Sequence, residues 1–124
     1  SQRSSTESSK QDIATMVRTV FEMAGANVSF GDGYPGWKPN PHSEILEVAA
    51  ESYKRLFGVD AQIKAIHAGL ECGLFLAKYP SLDMISFGPT LQGVHSPDER
   101  MLIPTVQKFW DHLLDILKHI PAKH

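Results

Sequence analysis

The sequence has few features that would set it apart from an ordinary globular protein of a reducing compartment. Its 124 residues include one cysteine, Cys72, so no disulfide can form within the chain. No apolar run approaches the roughly 18 residues that a membrane span needs. Lysine and arginine total 12 against 14 acidic residues, and the net charge of −2 argues against a nucleic-acid partner. We therefore expect a cytoplasmic protein that binds neither membrane nor nucleic acid.

The chain also lacks an initiator methionine and the apolar core of a signal peptide, since it begins Ser-Gln-Arg-Ser-Ser. We expect a chain that starts this way to have been cut from something longer. Its hydrophobic content of 42% and charged content of 21% are those of a globular protein, and its length fits one modest domain.

Helical and strand-like patterns alternate along the chain. Four stretches have helical spacing of apolar residues or helix end signals: 13–21, 45–57, 70–79 and 104–120. Three short stretches are typical of strands: 27–30, 62–66 and 83–87. The alternation predicts an α/β fold, with a layered mixed sheet flanked by helices. So few strands indicate a piece of a larger sheet.

Polar and small residues predict where the helices begin and end. Ser4 and Glu7 form the pattern of a capping box, and Asn40 with Pro41 predicts the start of the second helix. Gly25 and Gly58 are expected at helix C-termini.

Residues 31–41 have the composition of a connector, Gly-Asp-Gly-Tyr-Pro-Gly-Trp-Lys-Pro-Asn-Pro. Three glycines and three prolines in eleven residues disfavour a helix or strand, so this is the best candidate for a domain boundary. Tyr34 and Trp37 could line a pocket, although a packed hinge explains them equally well.

The string His-Ala-Gly-Leu-Glu-Cys-Gly at residues 67–73 runs from a predicted strand into a predicted helix. Unsatisfied N–H groups at a helix N-terminus favour anions, and Gly69 and Gly73 would let a ligand approach closely. A substrate carboxylate could dock there beside Glu71. The alternative is a tight strand-to-helix turn in which Glu71 interacts with the helix dipole.

His95 lies in a polar loop, Gly-Pro-Thr-Leu-Gln-Gly-Val-His-Ser-Pro-Asp-Glu-Arg at residues 88–100. It could ligate a metal through one ring nitrogen, with the other oriented by Asp98 or Glu99. The alternative is a surface histidine followed by an acidic turn. The chain has no His-x-Asp pair and no Glu-Glu pair, so His95 cannot form a dinuclear site alone. His112 and His119 are expected to be solvated.

Four strings together resemble the aminoacyl-histidine dipeptidases, also called Xaa-His or cytosolic non-specific dipeptidases, of the carnosinase-like dinuclear-zinc superfamily. They are Gly-Tyr-Pro-Gly-Trp-Lys-Pro at 33–39, Ile-His-Ala-Gly-Leu-Glu-Cys-Gly at 66–73, Ile-Ser-Phe-Gly-Pro at 85–89 and His-Ser-Pro-Asp-Glu-Arg at 95–100. The resemblance covers essentially the whole chain. It implies metal-assisted hydrolysis of dipeptides, with two zinc ions per active site and a lid domain that mediates dimerisation.

The resemblance also implies positions for domains and site residues. Residues 1–37 correspond to the end of the lid, and residues 38–124 to the C-terminal part of the catalytic domain. His95 takes the place of a zinc ligand. Residues of two segments take the place of substrate contacts: Gly69, Leu70, Glu71, Tyr34, Trp37 and Lys38.

The family's general base and its remaining metal ligands would lie upstream of Ser1. We therefore expect the isolated chain to be inactive and to bind zinc weakly at most. The alternative function is a non-catalytic α/β module that associates with copies of itself, because a truncated sheet exposes strand edges that pair readily.

Overall fold

The computed structural model describes residues 2–31, 33, 35–66 and 71–121. Its elements are four helices and two short strands: α1 (Glu7–Met23), α2 (Glu44–Phe57), α3 (Glu71–Lys78), β1 (Leu91–Gln92), β2 (Arg100–Met101) and α4 (Pro104–His119). They fall into two compact units. Unit 1 comprises Ser1–Pro41 and Lys64–Leu82, and unit 2 comprises His42–Ile63 and Asp83–His124. No helix within the described ranges is long and apolar enough to cross a membrane.

In unit 1, α1 begins later than the predicted capping box. The Ser4 hydroxyl accepts a hydrogen bond from the Thr6 N–H at 3.2 Å, which makes a local turn and leaves Thr6 as the N-cap. Glu7 pairs with Lys10 at 2.9 Å instead of reaching back to Ser4. The predicted end is confirmed, since Gly25 has a φ of 81° and donates to the Glu22 carbonyl.

In unit 2, α2 begins at Glu44 because two side chains accept from its first N–H groups. The Ser43 hydroxyl accepts from Leu46 N–H at 3.1 Å, and the Asp83 carboxylate accepts from Ile45 N–H at 3.2 Å. The predicted start at Asn40 and Pro41 is therefore wrong by several residues. The predicted end at Gly58 is confirmed by a φ of 69° there.

The core of unit 2 lies where α2 packs against α4. Ala49 and Ser52 of α2 are buried, as are His112 and Ile116 of α4. An ion pair between Arg55 and Asp115, 2.6 Å long, also joins these helices. Pro104 opens α4 as predicted, since its fixed φ suits the first helical position and its missing N–H is not needed there.

The three predicted strand positions are wrong. Residues 27–30, 62–66 and 83–87 belong to no strand, whereas β1 and β2 lie in the loop region around His95. A strand needs hydrogen bonds to a neighbouring strand, and the described residues pair β1 with β2 alone. These three segments therefore have strand-like sequences but form no strand.

Candidate functional site

A short antiparallel hairpin holds the loop that carries His95. Leu91 pairs with Met101 and Gln92 with Arg100, and the Arg100 side chain donates to the Gln92 amide oxygen at 3.0 Å. This closes the ends of the loop, residues 93–99, with both backbone and side-chain bonds. Such closure fixes where the loop leaves and re-enters the hairpin.

Hydrogen bonds within the loop fix its path. The Gly93 carbonyl accepts from both the N–H and the hydroxyl of Ser96, at 3.0 Å and 2.6 Å. The Ser96 hydroxyl in turn accepts from Asp98 N–H at 3.2 Å, and the Ser96 carbonyl accepts from Glu99 N–H at 3.1 Å. Ser96 is thus the centre of the loop, which explains the Ser-Pro-Asp-Glu pattern that follows His95.

His95 has a left-handed backbone, with a φ of 65°, and is the sole non-glycine residue with positive φ in the described parts of the chain. For an L-residue this conformation costs roughly 1–2 kcal/mol. The His95 N–H donates to Glu99 Oε2 at 3.2 Å, and the residue is exposed. Retained strain at an exposed histidine is typical of functional positions.

The orienting role suggested for Asp98 or Glu99 stays a prediction. The Glu99 carboxylate accepts a hydrogen bond from the backbone N–H of His95. Asp98 contributes its own backbone N–H to the loop. The two acidic residues therefore help to set the main-chain path of the loop. This path determines the direction in which the His95 side chain leaves the backbone.

The hairpin is tied to the start of α4. Leu102 N–H donates to the Thr90 carbonyl at 2.9 Å, and Thr90 N–H donates to the Thr105 hydroxyl at 2.9 Å. That hydroxyl donates to the Leu102 carbonyl at 2.7 Å. This network joins both strand ends to the first turn of α4. The hairpin that holds the His95 loop is therefore attached to a helix that packs in the core of unit 2.

The predicted substrate contacts lie in unit 1 as far as they are described. Glu71 is the first residue of α3 and is exposed, Trp37 is half-buried and Lys38 is exposed. Tyr34, Gly69 and Leu70 lie outside the described residues. The predicted roles of all six stay predictions.

Gly73 makes a different close contact from the one expected. The sequence suggested that its missing side chain would admit a ligand. Instead, a β-carbon at Gly73 would lie 2.5 Å from the carbonyl oxygen of Pro35. Backbone of the connector occupies the space, and the two segments predicted to contact substrate come together here.

His112 is buried, contrary to the expectation that it is solvated. Its Nε2 lies 2.8 Å from the Ala49 carbonyl oxygen, a distance at which the ring N–H donates to that oxygen. The rings of Tyr53, Phe57 and Phe87 surround it at centroid distances of 5.1–6.4 Å. Its place in the apolar stripe of α4, three residues after Phe109, was the available signal.

The pKa of the Asp115 carboxylate lies below its usual value. The hydroxyl of Ser52 contributes most to this lowering, followed by the guanidinium of Arg55. The Ser52 oxygen is fully buried and outside standard hydrogen-bonding geometry, whereas the Arg55 contact is direct at 2.6 Å. This charge pair belongs to the α2–α4 packing rather than to a reaction site.

The described residues contain no cluster of three or more histidine, cysteine, aspartate or glutamate side chains that could hold a metal ion. The metal-ligand role predicted for His95 stays a prediction. Its side chain is exposed and its backbone is held by the bonds of the loop.

Comparison with known proteins gives consistent matches. The chain matches Peptidase family M20/M25/M40 over residues 5–119. It is 45% identical over 121 residues to the cytosol non-specific dipeptidase of Escherichia coli (strain K12), covering 98% of this chain and 25% of that protein. Identity to the succinyl-diaminopimelate desuccinylase of Sulfurovum sp. (strain NBC37-1) is 24% over 117 residues, 94% of this chain and 31% of that protein.

A solved structure is also similar. The crystal structure of aminoacylhistidine dipeptidase from Vibrio alginolyticus matches with a TM-score of 0.78 and 46% sequence identity. The match covers 98% of this chain and 25% of that one. It confirms the predicted α/β class. The chain thus spans about a quarter of the length of the dipeptidases that it matches.

Proposed function

Because the chain belongs to peptidase family M20/M25/M40, we propose that it is the C-terminal part of a cytoplasmic, zinc-dependent dipeptidase that hydrolyses Xaa-His and other dipeptides. The names of the two similar dipeptidases support the substrate class and the cytosolic location. The observation that best supports a metal-binding role for this segment is the constrained backbone of His95. This residue has a φ of 65°, and its N–H donates a hydrogen bond to Glu99.

In this proposal His95 supplies one of the ligands of a two-zinc site, and the others come from the rest of the protein. A bound zinc ion lowers the pKa of its water and polarises the scissile carbonyl. The role of this chain in the zinc site is to hold the His95 imidazole in place. The hairpin and the bonds to Ser96 restrict the loop before any metal arrives.

The segments in unit 1 bind the substrate. The N–H groups at Gly69, Leu70 and Glu71 meet the substrate carboxylate, because a helix N-terminus attracts anions. The connector residues Tyr34, Trp37 and Lys38 are placed along the dipeptide. The exposure of Glu71 and Lys38 supports their access to a ligand.

The test replaces His95 in the complete enzyme that contains this segment. We expect His95→Ala to lose one zinc ion per active site and at least about 100-fold in dipeptide hydrolysis, since even residues behind the ligands cost 10–100-fold. Zinc content by mass spectrometry and hydrolysis of Ala-His measure the two effects. Val94→Ala changes the neighbouring loop residue and should keep both. Full zinc content and activity in His95→Ala would refute the assignment.

The isolated 124-residue chain gives a second measurement of the same proposal. Its described residues contain no cluster of three or more side chains that could hold a metal ion, so it should show no submicromolar zinc binding in calorimetry and no hydrolysis of dipeptides. Tight stoichiometric binding that disappears in His95→Ala would contradict this.

We also propose that the chain associates with itself, and a specific feature of α1 supports this. Met16, Val20 and Met23 are 66%, 65% and 84% exposed. With Ile13 they recur at intervals of three, four and three residues, the spacing of a helix-pairing stripe. A second copy of α1 would cover these side chains.

A further inference from the structure

Two glycines of unit 1 lie where a β-carbon would collide with another part of the main chain. At Gly36 it would lie 2.7 Å from the Ser4 carbonyl oxygen and 2.8 Å from that of Ser5. At Gly73 it would lie 2.5 Å from the Pro35 carbonyl oxygen. Neither glycine has a positive φ, so the close approach of backbone requires them.

The helix α3 by itself would favour another residue at position 73. Gly73 is the third residue of α3 and is buried. Alanine would stabilise a helix interior by about 1 kcal/mol relative to glycine. The group that fills the space is a main-chain carbonyl, which cannot rotate away like the end of a long side chain. The connector, not the helix, therefore determines that this residue is glycine.

We propose that Gly73 is a positioning residue for substrate binding, an inference that rests on the proposed dipeptidase function. Its contact with Pro35 joins the two segments assigned to the substrate. Trp37 follows Pro35 by two residues, and Glu71 precedes Gly73 by two. Because backbone meets backbone, displacement of one segment displaces the other, and Gly73 fixes the spacing between Trp37 and Glu71.

Metal ligation and substrate positioning are then carried by different units of the chain. Gly73, Pro35 and Glu71 belong to unit 1, and His95 belongs to unit 2. A β-carbon at position 73 should weaken dipeptide binding while leaving the metal in place. Loss of binding shared by ground and transition states raises KM and leaves kcat nearly unchanged.

The experiment compares Gly73→Ala with Gly31→Ala in the complete enzyme. Gly31 lies in the same connector, has no positive φ, and a β-carbon there would meet nothing within 4 Å. For Ala-His we expect Gly73→Ala to raise KM about tenfold, with kcat within about threefold of wild type. Zinc content should stay at the wild-type level. Gly31→Ala should keep the wild-type KM and kcat.

Other outcomes would overturn the inference. A folded Gly73→Ala with an unchanged KM would remove the positioning role, and so would loss of zinc or a fall in kcat alone. Wild-type enzyme that does not hydrolyse dipeptides would instead refute the proposed function itself. The two failures are therefore distinguishable.

Hydrogen exchange on the wild-type enzyme tests the same idea without depending on the folding of a variant. The probe is an Ala-His analogue with a CH₂–NH group in place of the peptide bond. We expect amides of residues 36–38 and 72–75 to gain protection together, over the same range of probe concentration. Protection of one segment without the other would show that the contact does not couple them.

Discussion

At the scale of single residues, His95 combines an exposed side chain with a backbone conformation that most L-residues avoid. The loop maintains this conformation with the carboxylate of Glu99 on the His95 N–H and with Ser96 bound twice to the Gly93 carbonyl. A residue that served stability alone would be expected to relieve the strain, as glycine does at position 93.

This strain leads to a prediction about stability. His95→Gly should raise the free energy of unfolding by about 1 kcal/mol relative to His95→Ala, because glycine adopts positive φ without a steric clash. Denaturant unfolding of the two variants of the 124-residue chain measures the difference. Val94→Gly and Val94→Ala form the control pair at a residue without positive φ, where glycine should not be the more stable. Equal stability of the two His95 variants would show that the loop is unstrained.

The conformation of the candidate site could not be predicted from the sequence, because it depends on contacts between distant residues. The ligand role of His95 stays a prediction from the sequence string, and its positive φ depends on the hairpin that closes the loop. Gly73 could be recognised as a close-approach position, yet the partner, Pro35, is 38 residues away. His112 was misjudged because a histidine within an apolar stripe is compatible with either burial or exposure.

At the scale of elements, helices were predicted far better than strands. The last two helices begin and end close to the predicted positions, since their hydrogen bonds are local and prolines lie near their ends. The strand-like segments have suitable residues, but their state depends on partners that sequence periodicity does not identify. The resemblance to dipeptidases, also drawn from short strings, is confirmed by 45% identity over 98% of the chain.

The α2–α4 pair gives a prediction about pH. The folded pKa of Asp115 lies below its ordinary value of 3.8, so the stability it contributes is present above that value. This contribution is lost as the pH falls through the folded pKa. Asp115→Asn should therefore be less stable than wild type at neutral pH, and the difference in Tm should shrink below about pH 4.

Thermal unfolding of the 124-residue chain between neutral pH and about pH 3 tests this. Asp111→Asn is the matched control, because Asp111 lies on the same helix and accepts a hydrogen bond from the Gln107 amide. Its Tm difference from wild type should not depend on pH in the way that of Asp115→Asn does. A Tm difference for Asp115→Asn that stays constant with pH would contradict the assignment.

At the scale of the whole molecule, the exposed stripe of α1 predicts self-association. Sedimentation velocity of the isolated chain at increasing concentration should show dimers or larger species, since contiguous exposed apolar surface favours association. Val20→Glu introduces a charge into the stripe and should favour the monomer. Gln11→Glu adds the same charge on the opposite side of α1 and should not. A stable wild-type monomer at high concentration would exclude the proposal.

The order of the unit segments along the chain affects how the protein folds during synthesis and how proteolysis divides it. Each unit is built from two separated segments, so the polypeptide alternates between them. The ion pair of Arg55 with Asp115 joins residues 60 positions apart, and it forms only after Asp115 has been synthesised. Contacts of such long range slow folding. A single proteolytic cut at residue 41 or 82 would separate the two segments of one unit, and a cut at residue 63 would separate the two segments of both.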